Sequence, residues 1–208
     1  MDSRTRFHVP VVITTVAACF AASLLTGCVP VVIGAAAGTG YVATQERTVG
    51  RAVDDATIKA GILHRFTDSD VAGLLTKVST EVTEGRVLLT GSVLHQETAI
   101  EAVTQVWRVK GVKEVINEIQ VSDKGGVKNY ATDTWITTQI KSRLLVTKYI
   151  RSTNYNIETV NNVVYIIGLA QNQQELDNVM QIARTTQYVQ QVISHVILKT
   201  DPRHGGAE

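Results

Sequence analysis

Ile136, Ile140 and Leu144 stand at i, i+4 and i+8 in the stretch DTWITTQIKSRLL (133–145). That is the spacing of one buried helix face. DATIKAGILHRF (55–66) carries the same stripe, and Asp55 and Asp133 stand where helix N-caps are expected. Downstream of each helix come two β-rich runs, 77–82 with 86–93 and 154–159 with 163–170. The short connections TEGR and VNN supply the turn residues of hairpins. Second helices are expected over about 96–109 and 173–187. Ala99, Val103 and Val106 mark the buried face of the first, and Leu176, Met180 and Ala183 that of the second. Asn172, followed three residues later by Glu175, reads as a helix start with reciprocal capping. A final strand alternates Val115, Asn117, Ile119, Val121, and its later counterpart Val192, Ser194, Val196, Leu198.

The order helix, strand, strand, helix, strand therefore occurs twice. Gly168 lies 77 residues after Gly91, and this offset sets VLLTGSV over VYIIGLA and VKEVINEIQV over VQQVISHVIL. The first helices align with one residue of length difference. The fold class is α+β: two tandem units over 54–121 and 133–199, a Gly- and charge-rich linker over 122–132, and a flexible tail over 200–208. Gly91 and Gly168 are expected to be structural, allowing positive φ or a close helix–strand approach.

The N-terminus is a targeting segment and stands outside the fold. Arg4 and Arg6 precede an apolar run from Val9 to about Leu24, which ends in LLTGC. Leu25-Thr26-Gly27-Cys28 resembles the lipobox of bacterial lipoproteins. The resemblance implies removal of residues 1–27 and acylation of Cys28, with 28–53 left as a tether. Val29 rather than Asp after the cysteine implies, by the same resemblance, sorting to the outer membrane. Cys19 would leave with the signal, so the processed chain would hold one alkylated cysteine and no disulfide. Gly34 and Gly38 have GxxxG spacing, but the run is too short and interrupted to span a bilayer.

A glycine closing the hairpin, an Ala-rich second helix, Gly-Val before the last strand and then V-x-N-x-I resemble the BON family. Unit one carries all of it in Gly91, Ala99, Ala102, Gly111, Val112, Val115, Asn117 and Ile119. Unit two has Gly168, Ala183 and Val189, with Tyr188 in place of the glycine and Ser194 in place of the asparagine. The resemblance covers about 54–199. It implies two small α/β sandwiches, each an αββαβ unit with a three-stranded mixed sheet packed by helices, without catalysis or cofactor. It also implies binding to phospholipid surfaces through the second unit, behind a lipid anchor that supports outer-membrane integrity.

Trp135 does not belong to the buried stripe. It shares the opposite helix face with Thr138, Ser142, Leu145 and Val146. The matching positions of unit one are Thr57, Ala60, His64, Thr67 and Asp68, a solvated face. Charge diverges in the same sense. Residues 54–121 hold 7 Lys/Arg and 10 Asp/Glu, net −3, whereas 133–199 hold 6 and 4, net +2. Lys141, Arg143, Lys148 and Arg151 lie on or just beyond the odd helix. Trp and Leu flanked by cations are the mark of interfacial membrane contact, so the expected partner is anionic phospholipid, phosphatidylglycerol or cardiolipin. Two other readings stand at this point: Trp135 packs against the other unit, or the patch docks an envelope protein.

The remaining composition excludes more than it suggests. The 208 residues carry a formal net charge of +1, against a dedicated nucleic-acid binder. His64, His95, His195 and His204 show no metal or catalytic spacing, and no nucleophile motif is present. His195 is expected on a solvent-facing strand surface. Glu81 and Glu158, at equivalent positions, read as solvated strand residues.

Overall fold

The computed structural model describes residues 49–69, 74–122 and 130–204; the signal segment, Cys28 and most of the tether lie outside the described residues. Unit one consists of α1 (Val49–Thr67), a short helix α2 (Leu74–Lys77), β1 (Val78–Thr83), β2 (Arg86–Val93), α3 (Gln96–Trp107) and β3 (Glu114–Val121). Unit two repeats it with α4 (Tyr130–Val146), a 3-10 turn (Ser152–Asn154), β4 (Tyr155–Val160), β5 (Val163–Ala170), α5 (Gln173–Arg184) and β6 (Gln191–Leu198). Each unit has a three-stranded sheet with β2 or β5 at its centre. The hairpin partner is antiparallel and the last strand parallel, with Arg86 beside Glu114 and Val163 beside Gln191. A parallel return needs a crossover, and α3 and α5 supply it.

The helices cover one face of each sheet. Ile58, Ile62 and Phe66 of α1 meet Ala99, Ala102 and Val106 of α3 over Val82, Val87 and Leu89. In unit two, Ile136, Ile140 and Leu144 meet Val179 and Ala183 over Ile157, Val164 and Ile166. The buried face of α5 turns by one residue from the expected one: Val179 is buried, and Leu176 and Met180 pack at the margin. Asn172 caps α5 by accepting from the Glu175 N–H at 3.0 Å, and the Glu175 carboxylate reaches back to the N–H of Gln171.

Asp55 and Asp133 are not N-caps. Both helices begin earlier, α1 at Val49 inside the expected tether and α4 at Tyr130 inside the expected linker. The two carboxylates are buried within their helices and reach across to the hairpin turn. Asp55 accepts from the N–H groups of Glu84 and Gly85, and Asp133 from those of Asn161 and Asn162, all at 2.8 Å. A carboxylate with two acceptor oxygens satisfies two consecutive turn donors that neither ladder nor water can reach. Gly91 and Gly168 serve the same hairpins. A Cβ at Gly91 would collide with the carbonyl oxygen of Lys77, and one at Gly168 with that of Asn154. The close approach is backbone to backbone, and in each unit the carbonyl belongs to the last residue of the short helix before the first strand, Lys77 of α2 and Asn154 of the 3-10 turn, so it is the expected helix–strand approach. Gly91 also has φ +131, which a side chain rarely adopts.

The outer faces of the two sheets are not solvated, because they pack against each other. Leu88, Val160, Tyr165 and Ile167 form a third buried cluster, flanked by Ile116, Val163 and Ile193. Burial of each such side chain contributes on the order of 1.5–3 kcal/mol. Polar groups close the seam. The Arg86 Nη1 donates to the carbonyl of His195 at 2.9 Å, and Gln120 Nε2 donates to the Tyr165 hydroxyl at 3.1 Å. Asn161 Nδ2 donates to Gln120 Oε1 at 2.8 Å, and His195 Nε2 lies 2.9 Å from Glu118 Oε1. His195, expected in solvent, therefore belongs to the inter-unit seam.

Glu158 is not a solvated strand residue either. Burial pushes its carboxyl above the usual range, the charge of Glu81 across the seam pushes it further, and Lys141 and Lys59 pull it back. Glu81 itself pairs with Lys59 at 3.1 Å. The C-terminal segment folds back as far as it is described: His204 Nδ1 sits 3.0 Å from the buried Glu84 carboxylate, which Arg51 also meets at 3.3 Å. Residues 200–204 are in this way fixed to unit one, in place of the flexible tail expected there.

Candidate functional site

Helix α4 has its Ile136, Ile140, Leu144 stripe fully buried, so its other side must face away from the sheet. On that side Trp135 is 40% exposed, Leu145 73% and Val146 79%, with Thr138 and Ser142 exposed between them. Thr138 turns its hydroxyl back to the carbonyl of Thr134 at 2.8 Å and so presents its methyl group outward. Lys141 and Lys148 are exposed on the same helix and just beyond its end. Trp135 makes no part of the seam between units, which is built from the sheets' outer faces on the other side of unit two's own sheet. Its ring contact is with Tyr188 of its own unit.

Arg143 differs from the other cations expected there. Its Nη1 donates to the carbonyl of Ile182 at 3.0 Å and to the Thr186 hydroxyl at 2.9 Å, and Nη2 to the Thr185 hydroxyl at 3.1 Å. These groups end α5, where unpaired carbonyls and the negative end of the helix dipole favour a cation. Arg143 ties α4 to α5, and the outward positive charge rests on Lys141 and Lys148.

One aromatic residue joins the face unannounced by helix periodicity: Tyr188, just before β6, is exposed. Tyr130 and Tyr149 at the two ends of α4 are exposed as well, Tyr130 on the groove toward unit one. The Tyr188 ring meets Trp135 edge-on, with centroids 5.5 Å apart and planes at 66°. Edge-to-face contact is the favoured arrangement for such rings and restrains both. Tyr188 had one signal in the sequence, its replacement of the glycine found at the matching position of unit one.

The molecule offers this surface in preference to an enclosed chamber. The groove between α4 and the edge of unit one, about 430 Å³, is open, with Ser79, Ser92, Thr137 and Glu158 on its walls and Thr138 and Lys141 of α4 at its side. Among the described residues, no cluster of His, Cys, Asp or Glu could hold a metal ion. No described helix is long and apolar enough to cross a membrane.

Two αββαβ sandwiches docked sheet to sheet, with large apolar side chains exposed on α4, define a tandem α/β module. The chain belongs to the BON domain family, which matches residues 54–123 and 132–200. It is 33% identical over 144 residues to the outer membrane lipoprotein DolP of Haemophilus influenzae, covering 69% of this chain and 75% of that one. It is 34% identical over 146 residues to the osmotically-inducible protein Y of Escherichia coli, covering 69% and 72%. A protein encoded in the gshII 5′ region of Anaplasma centrale is 44% identical over 128 residues, covering 61% of this chain and 85% of that one. The two matched stretches coincide with the two units, so the chain carries two BON domains.

Proposed function

We propose that this protein is a non-catalytic envelope lipoprotein, anchored through acylated Cys28 in the outer membrane and facing the periplasm, whose second BON unit docks on anionic phospholipid. The observation that carries the reading is the α4 face: Trp135, Leu145 and Val146 are exposed together beside Lys141 and Lys148, where the matching positions of unit one hold Thr57, Ala60, His64, Thr67 and Asp68, although that helix also exposes Val53 and Leu63. Single apolar residues in water are ordinary, but Trp135, Leu145 and Val146 are grouped with lysines on one helix, and a bilayer interface accepts such rings and chains. Transfer of Leu145 and Val146 contributes at most about 1.5–3 kcal/mol each. Each lysine adds roughly 1 kcal/mol near an anionic surface. Binding by the face alone is weak, and the acyl anchor makes it useful by keeping the local lipid concentration high. The name of the Haemophilus relative, an outer membrane lipoprotein, and the lipobox-like Leu25–Cys28 support the location.

The test is co-sedimentation of the chain from residue 28 onward, with Cys28→Ser to remove the anchor, with phosphatidylglycerol and phosphatidylcholine vesicles. Binding to the anionic vesicles alone, reduced by salt and lost in Leu145→Glu, is the expected result. Absence of binding to either vesicle would sink the lipid reading and turn the search to a protein partner for the same face.

A further inference from the structure

Two glycines of unit one have become side chains in unit two. Gly85, second residue of the first hairpin turn, stands where unit two has Asn162, and Gly111 stands where it has Tyr188. All four positions keep the left-handed backbone: φ is +79 at Gly85 and +67 at Asn162, +96 at Gly111 and +68 at Tyr188. Asparagine tolerates this conformation, but for a bulky residue such as tyrosine it is uncommon and costly. A strained tyrosine persists only where its surroundings over-determine it, and strain of this kind gathers at functional sites.

The surroundings do over-determine it. Asn162 Nδ2 donates to the carbonyl of Tyr188 at 2.9 Å, and the Asn162 carbonyl accepts from the Gln190 N–H at 2.9 Å. Asn162 is in turn held by Asp133 of α4, two residues before Trp135. The ring of contacts Asp133, Asn162, Tyr188, Trp135 closes on α4. Unit one has the Gly85 carbonyl bonded to the Lys113 N–H at 2.8 Å, matching the Asn162–Gln190 bond, but neither of the two new side chains. Tyr188 is 57% exposed, so the strain is not repaid by burial in the core.

We infer that Tyr188 is a second docking element for the phospholipid surface, a loop-borne aromatic anchor that, with Trp135, fixes how α4 lies on the bilayer. The inference rests on the lipid reading of the α4 face and extends it to a different segment of the chain. A tyrosine that is 57% exposed and meets Trp135 edge-on suits the headgroup level, where an apolar ring and a polar tip are both accommodated. Two anchors on separate elements define a plane of contact, which one helix does not.

The experiment uses the same Cys28→Ser chain and phosphatidylglycerol vesicles. Tyr188→Gly restores the residue that unit one carries, so it relieves the backbone and unfolds no earlier than wild type in a thermal melt. Its vesicle affinity is expected to fall about fivefold or more. Tyr188→Phe keeps the ring and is expected to bind within about twofold of wild type. A Tyr188→Gly variant that binds as well as wild type overturns the role of Tyr188 and leaves the α4 reading intact. A wild-type chain that ignores the vesicles overturns the α4 reading, and this inference with it.

Discussion

Asp55 and Asp133 hold the same hairpin turn in the two units, yet the turn reads Glu84-Gly85 in one and Asn161-Asn162 in the other. The same contrast runs through both copies. Buried helix stripes, hairpin registers and the parallel return of the last strand coincide, while the outward helix face has gone from Thr57, His64 and Thr67 to Trp135, Ser142 and Leu145. A core position must match the volume and backbone of its neighbours, so it tolerates few changes. An outward position answers only to what it meets. Where one copy departs from the other on the outside, as at Tyr188, the departure is where the proposed docking is to be tested.

The largest effects should fall where the copies agree. Gly91→Ala and Gly168→Ala each force a methyl group into a backbone carbonyl and should cost about 3 kcal/mol or more, read as a loss of urea resistance. Gly91 should be the more sensitive because its backbone is also left-handed. Asp55→Ala and Asp133→Ala each orphan two turn N–H groups and should destabilise by roughly 2–4 kcal/mol. A large inequality between these two aspartates would break the equivalence of the units.

Where the copies disagree, the effects should be one-sided. Leu145→Glu is expected to lower affinity for phosphatidylglycerol vesicles about tenfold or more without changing the melting temperature, since the residue is exposed. Thr67→Glu, at the matching place on α1, should leave vesicle binding unchanged. The smallest effect concerns the equivalent pair Glu81 and Glu158. Burial and Glu81 raise the Glu158 carboxyl, so the folded chain holds that proton to higher pH than the unfolded chain does. Its ionisation therefore costs stability as pH rises above the ordinary carboxylate range. Glu158→Gln should melt slightly higher than wild type at pH 7, and the gain should vanish under acid, where both side chains are neutral. Glu81→Gln should go the other way by about 0–1 kcal/mol, losing a partly exposed ion pair with Lys59.

Much of this was legible in the chain. Periodicity placed all six strands and three of the four long helices within about three residues, with α1 starting six residues earlier than expected, and the repeat offset exposed the contrast between α1 and α4. The aspartates misled because an acid before an apolar run is also the mark of a helix start; which donors it finds depends on a turn about 28 residues away. The inter-unit seam left a trace that the alternation rule passes over. VLL (87–89) and VYII (164–167) are apolar at successive positions, as strands buried on both faces must be. His195 and Glu158 followed from that omission, since both sit on the face taken as solvent. Arg143 looked like its neighbours Lys141 and Lys148, and only the position of α5 shows that its fork is occupied. The positive φ of Tyr188 had no sequence signal beyond the glycine it replaces.

Sheet-to-sheet docking of the units also sets a height. Helices, sheet, sheet and helices make four layers at about 10 Å spacing, so α1 and α3 lie roughly 30 Å from the layer that carries α4. With α4 flat on a bilayer, the first unit's helical layer stands at that distance above it, turned toward the compartment, with Trp107 and Ile100 exposed upon it. The chain enters the fold at Val49, in this far layer, 21 residues beyond Cys28. If Cys28 carries the proposed anchor and α4 makes the proposed contact, those 21 residues, which can span at most about 75 Å, are enough to join the far layer to the bilayer.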